Sequence, residues 1–259
     1  MLYLAYKDLD DLYYNFSRLP FYERDRYGQY MFDVTDTTTW LQDVVLEVGS
    51  EHCTLDMSLL NYTIMKWSTL LGKYIDLEEY LRFKEMLKTG TKKSITFNFK
   101  IHEYNRPACL ISMVITRLNH NKPWKEMKIH YRSTEIFKKF AVDLILFNRL
   151  VTELNQNCGC EIDKITLFIP LLFYRADFLA ELLDSGYFTQ EEFRKIDERF
   201  ARKVIGYYDR YYTKGATLAN YHTIQRKQKL KARSKSLPRI PIESLSIEGD
   251  LKKKEKKKK

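Results

Sequence analysis

The sequence predicts an α+β fold with a buried central helix, and three observations carry that expectation. Ser94–Lys100, Leu110–Arg117 and Met127–Tyr131 read as three strands, apolar and β-branched, separated by the loops His102–Pro107 and Asn119–Trp124. Residues 134–156 follow as one long helix, apolar over much of its circumference through Phe137, Phe140, Ala141, Leu144, Ile145, Phe147, Leu150 and Leu154, which marks it as buried. Strands and long helices then mix without strict βαβ alternation, the pattern of an α+β chain.

The remaining elements follow in order. Residues 7–16 predict a short helix with Leu9, Leu12, Tyr13 and Phe16 on one face. An Arg-bearing loop runs from Ser17 to about Arg26, broken at Pro20. Tyr30–Val34 and Val44–Val48 predict strands. Residues 55–71 have helical spacing through Leu59, Leu60, Ile64, Trp67, Leu70 and Leu71, stopped near Gly72. A further helix covers 75–88, with Asp76 in its first turn and Thr89-Gly90 as its breaker. Ile165–Phe173 reads as a strand, 176–184 as a helix, and 190–214 as more helix with a Tyr-rich end. No repeat of fixed period is present.

Charge divides the chain. Residues 224–259 carry fourteen Lys/Arg against four acids, which is the whole of the net charge of +10, so residues 1–223 balance to zero. We therefore expect a neutral globular body over 1–223 and a basic, disordered tail over 224–259, since a Lys/Glu run cannot bury enough surface to fold. Affinity for nucleic acid, where present, is expected of that tail and not of the body. Four scattered cysteines (Cys53, Cys109, Cys158, Cys160) suit reduced thiols in a cytoplasm, and Cys158-Gly159-Cys160 lacks the second pair that a zinc site needs. The absence of a charged region followed by an apolar run at the start leads us to expect no signal peptide, and the longest apolar stretch, around Ile165–Phe173, is too short to span a bilayer. Phosphate-binding glycine loops, dinucleotide fingerprints, His-Glu-x-x-His and Gly-x-Ser-x-Gly are absent, and the five histidines show no metal spacing, so no metal site is expected.

The chemistry-bearing residues cluster around Cys109. It lies in Arg106-Pro107-Ala108-Cys109-Leu110, where a cysteine after a proline and ahead of an apolar strand can be held at the mouth of a pocket. Taken alone, such a cysteine is more often inert core. Twenty-three residues later comes Tyr131-Arg132-Ser133-Thr134-Glu135-Ile136-Phe137, whose Arg132 fork and Ser133 hydroxyl suit a phosphate. Asp143 sits in the otherwise apolar Phe140–Leu146 run, and a buried acid is costly unless something pairs with it.

Pro-x-Cys ahead of Arg-Ser resembles the thymidylate synthase and deoxycytidylate hydroxymethylase superfamily, and the resemblance runs over roughly residues 7–180. Tyr27-Gly28-Gln29-Tyr30-Met31-Phe32-Asp33 is similar to an early strand of that family, and Arg18 falls where the family has a phosphate-loop arginine. Lys92-Lys93 stand where the family has an arginine pair that reaches the partner's nucleotide phosphate across a dimer interface. Asp143, eleven residues past Arg132, occupies the position that reads the pyrimidine edge, and aspartate there is the deoxycytidylate hydroxymethylase choice.

The resemblance implies a thymidylate-synthase-like mixed sheet, a homodimer, and a pyrimidine nucleoside monophosphate as substrate, with cytidylate favoured. It implies that Cys109 adds to C6 of the base and that C5 then takes a methyl or hydroxymethyl group from 5,10-methylenetetrahydrofolate. Glu135 would stand at the family's cofactor-side aspartate. A host cytoplasm is implied if the source is a phage, where such enzymes are frequent. The chain departs from the family at Ile64 or Met65 (a glutamate there), at Glu135, at Lys139 (a glycine) and at Leu171–Phe173 (a His-x-Tyr). The rival reading is a homologue without turnover that binds a nucleotide or, through its basic tail, nucleic acid.

Overall fold

The computed structural model describes residues 1–18, 33–34, 38–50, 53, 71–100, 109–184, 188–193, 198–208, 247–249 and 251. The chain is α+β. Its elements run β1 (Leu2–Tyr6), α1 (Leu9–Ser17), β2 (Asp33–Val34), β3 (Thr38–Gly49), α2 (Leu77–Thr89), β4 (Ser94–Asn98), β5 (Leu110–Thr116), β6 (Glu126–Tyr131) and β7 (Thr134–Glu135). A π-helical turn, Ile136–Phe140, then leads into α3 (Ala141–Cys158), followed by β8 (Lys164–Arg175), α4 (Ala176–Asp184), α5 (Gln190–Phe193) and α6 (Glu198–Tyr208). The described strands form one mixed sheet in the order β1-β3-β8-β6-β5-β4, with β2 paired to β3 and β7 to β8. The pairs β1/β3, β6/β8 and β7/β8 are parallel; β3/β8, β4/β5 and β5/β6 are antiparallel.

Register explains the core. Pairing aligns Phe97, Met113, Ile129, Leu167, Leu46 and Leu4 in one row across the sheet, and the next row of the same face is Ile95, Ile115, Met127, Ile165, Val48 and Tyr6. The helices pack on this face. Phe83 and Tyr80 of α2 meet Phe97 at ring separations of 5.4 and 6.0 Å, and Phe147 of α3 meets Tyr131 at 6.2 Å. Each such side chain removed from water contributes about 1.5–3 kcal/mol. Trp124, also buried, donates its indole N–H to the Leu87 carbonyl at 2.9 Å and so ties the β5–β6 connection to the end of α2.

Side-chain caps set the helix starts. Asp8 accepts from Asp11 N at 2.8 Å ahead of α1, and Asp76 accepts from Glu78 N and Glu79 N ahead of α2. Asp76 is thus the cap of its helix and not a residue of its first turn. Gly159, at φ 64°, takes the left-handed conformation that stops α3.

The structure revises several expectations. Leu2–Tyr6 is a strand, β3 extends well beyond Val44–Val48 on its N-terminal side, and the long helix predicted from 134 begins only after β7 and the π-helical turn. Within 190–214 the described helices are 190–193 and 198–208. Most of the predicted 55–71 helix, most of Tyr30–Val34, residues 19–26 of the predicted loop, the loop His102–Pro107, and the positions Ile64 and Met65 lie outside the described residues; Ser17 ends α1, and residues 71–74 are helical. Within the tail expected to be disordered, residues 247–249 and 251 are helical, and Ile247 and Leu251 are buried. Among the described residues no helix is long and apolar enough to cross a membrane, and no group of three or more His, Cys, Asp or Glu could hold a metal ion.

Candidate functional site

The site is built where one line of chain breaks. β6 pairs Glu126 with Lys164, and β7 pairs Thr134 with Leu172, the same offset of thirty-eight residues against β8. The two strands are therefore one interrupted strand, and the interruption is Arg132-Ser133. On the other side, β5 pairs Leu110 with Tyr131 but Ser112 with His130, so Ile111 is an extra residue, a bulge. Bulges bend a strand and re-aim its neighbours. Just ahead of this one, the Cys109 carbonyl accepts the Arg132 N–H at 2.8 Å, which places the half-buried thiol residue directly across from the exposed arginine. Ser133 is half-buried beside them.

Asp143 comes from below. It lies in the first turn of α3, is 2% exposed, and belongs to the helix that packs under Tyr131. Burial raises its pKa to about 8, and the Tyr131 and Thr134 hydroxyls and the Lys139 ammonium oppose that rise without cancelling it. At pH 7 the acid form therefore predominates by roughly ten to one. The Tyr131 and Thr134 hydroxyls face the Asp143 carboxyl closely enough to lower its pKa, but Asp143 Oδ2, Tyr131 OH and Thr134 Oγ1 are buried and none closes a hydrogen bond of good geometry among the described residues. Such a trio of polar atoms suits a polar ligand that would complete their hydrogen bonds.

Cys109 feels the same surroundings. Burial pushes its thiol up from the ordinary value, the Asp143 carboxylate adds to that, and Lys139 and Arg132 pull the other way. The cations expected around a reactive thiol are present, but they do not outweigh burial. The thiol is thus held protonated near neutrality, beside an acid that is also protonated.

Other predicted residues are employed elsewhere. Arg18 is 3% exposed, caps the end of α1 and pairs with Glu192 at 2.6 Å, while its guanidinium lies 3.8 Å from the Tyr14 ring centroid and 4.7 Å from that of Phe188. The phosphate arginine expected at position 18 is therefore a buried ion-paired residue that fastens α1 to α5. Glu135, expected on the cofactor side, is fully buried and accepts from Phe137 N at 2.9 Å and Lys139 N at 3.4 Å. It caps the π-helical turn, and the turn in consequence carries Lys139 to the site. Lys92 and Lys93 are exposed and precede β4, whose far end meets β5 near the bulge. Within one chain they lie at the opposite end of the strand from Cys109 and do not join its site.

Tyr131, Thr134 and Lys139 were not singled out from the sequence as site residues. Their signal was positional: two flank Arg132-Ser133, and one stands where the resemblance implies a glycine. The depression lined by Ser50, Lys125, Asn148, Thr152, Asn155 and Asp163, ≈ 430 Å³, opens on the C-terminal half of α3, and none of the predicted site residues lines it. No family model matches the chain, and no curated protein matches it.

Proposed function

We propose that the chain binds a pyrimidine nucleoside monophosphate, cytidylate in preference, and activates C5 of the base for one-carbon transfer. The observation that carries this reading is the buried Asp143 carboxyl, its pKa raised to about 8, facing Tyr131, Thr134 and Cys109 with no hydrogen bond of good geometry on Oδ2 among the described residues. A protonated carboxyl donates to cytosine N3 through its O–H and accepts from the exocyclic amine through its other oxygen. Arg132 and Ser133, at the strand break, suit the phosphate.

In this reading the Cys109 thiol gives its proton to solvent water and its sulfur forms a bond to C6. The C5–C6 double bond opens, and its electron pair moves to C5 and into the ring. Asp143, donating to N3, stabilises the charge that builds there. C5 is then nucleophilic and can exchange its proton with water or meet a one-carbon electrophile. The carbon donor implied by the resemblance is a folate, but the residues on that side do not fit one: Glu135 is buried under the π-helical turn, and Lys139 stands in place of a glycine. The reading includes a homodimer, which would bring the Lys92-Lys93 pair to a partner's site. The sheet face opposite the helices carries Val45, Val114, His130 and Phe168 at half-buried positions and Ile111 exposed, and a second copy would cover it.

The test is release of tritium from C5 of labelled deoxycytidylate, deoxyuridylate and cytidylate, with and without folate. Exchange with a cytidine nucleotide that depends on Cys109 supports the reading; nucleotide binding without exchange selects the inactive homologue.

A further inference from the structure

Far from Cys109, the C-terminal half of α3 holds a second polar centre. Lys84, on α2, is 7% exposed and its Nζ lies 3.0 Å from Glu153 Oε1 and 2.9 Å from Glu248 Oε2. Glu153, on α3, is 6% exposed, and its other oxygen accepts the Ile247 backbone N–H at 2.8 Å. The Tyr80 ring closes a further side, its centroid 5.7 Å from the ammonium. Ile247 and Leu251 are buried at 0% and 4% although they belong to the most strongly charged stretch of the sequence. Their i, i+4 spacing puts both on one side of a helical turn.

These contacts have the form of peptide recognition. Two apolar anchors are buried, the backbone between them and the body donates one hydrogen bond, and an acidic side chain meets a buried cation. A buried ammonium is stable only when paired and hydrogen-bonded; Glu153 supplies one partner from the body, and the acid after the first anchor supplies a second. The occupant is fixed by its position in the structure: it is this chain's own C-terminal segment.

We propose that Lys84 and Glu153 form a docking groove for a helical turn of the pattern apolar–acidic–x–x–apolar. Its occupant is Ile247–Leu251, and the docking is a reversible clasp that anchors the lysine-rich end to α2 and α3. The clasp is independent of the nucleotide reading. It opens locally, without unfolding of the body, because the docked stretch is short. Release frees a cationic arm, and closure roots it.

Amide hydrogen exchange on the full chain tests this, comparing the native protein with Glu248→Gln and with Leu251→Asp. The Ile247 amide should exchange more slowly than unprotected chain and faster than Leu150 in the interior of α3. Each variant should speed Ile247 exchange by about ten-fold or more, the low end for a hydrogen bond to a charged group, and leave Leu150 unchanged. Ile247 exchanging at the unprotected rate in the native protein would overturn the docking. Unaltered protection in Glu248→Gln would overturn the role of the ion pair, and exchange matching Leu150 would overturn reversibility.

Discussion

At the scale of single residues, Asp143 makes the firmest prediction because burial fixes the sign of its effect on stability with pH. Its folded pKa, about 8, is above its unfolded value near 4, so the native state binds the extra proton between those limits. The stability of the protein should therefore fall as pH rises through roughly 4 to 8 on account of this one group. Asp143→Asn removes the titration, so the melting-temperature difference between variant and native protein should move in the variant's favour as pH rises across that window. The same substitution should shift relative affinity from cytidylate toward uridylate, by up to ~10⁴-fold for a site built around one hydrogen-bond pattern. Equal relative binding of the two nucleotides by both proteins would remove Asp143 from base reading. Cys109 makes a parallel prediction: because burial and Asp143 hold the thiol up, its alkylation should accelerate with pH above the range of a free cysteine, and bound nucleotide should slow it.

Among the elements, the π-helical turn and the broken strand beside it carry the site. Glu135 holds that turn through two backbone N–H groups, so Glu135→Gln should cost about 1–3 kcal/mol in urea unfolding and disturb Lys139 with it. A variant of native stability that had lost only donor use would instead restore Glu135 to the cofactor side. The central strands and their helices were legible because each stretch declares its own period: Ser94–Asn98 and Glu126–Tyr131 alternate buried and less buried residues, and Ala141–Cys158 is apolar nearly all round. The break at Arg132-Ser133 was legible only as a motif, since a two-residue β7 exists through its pairing with Leu172 and Phe173, far along the chain. Arg18 misled for a related reason. Its partner Glu192 and its stacking ring Phe188 lie near the other end of the body, and nothing local distinguishes a buried ion-paired arginine from a phosphate ligand. The docked turn was masked by composition, with Ile247 and Leu251 diluted among lysines.

For the molecule as a whole, the docked turn changes how tail and body should be separated. A cut after His222 would remove Ile247, Glu248 and Leu251 from α2 and α3 along with the positive charge, whereas a cut after Leu251 removes seven lysines and one glutamate only. The shorter truncation should flatten the salt dependence of any duplex-DNA binding, by about 0.9 in log–log slope for each phosphate no longer neutralised, and leave thermal stability and nucleotide binding in place. An equally steep slope after that cut would put the nucleic-acid surface elsewhere in the chain. Self-association belongs to this scale too. Phe168→Lys, on the face opposite the helices, should shift sedimentation toward monomer if a second copy covers that face, and an unchanged sedimentation coefficient would argue against it. Whether Cys109 activates a pyrimidine is measured most directly by tritium release from C5-labelled deoxycytidylate. The native protein should release label without added folate, and Cys109→Ser should release none while still binding the nucleotide. Release that persists in Cys109→Ser, or none from the native protein with any pyrimidine nucleotide, would contradict it.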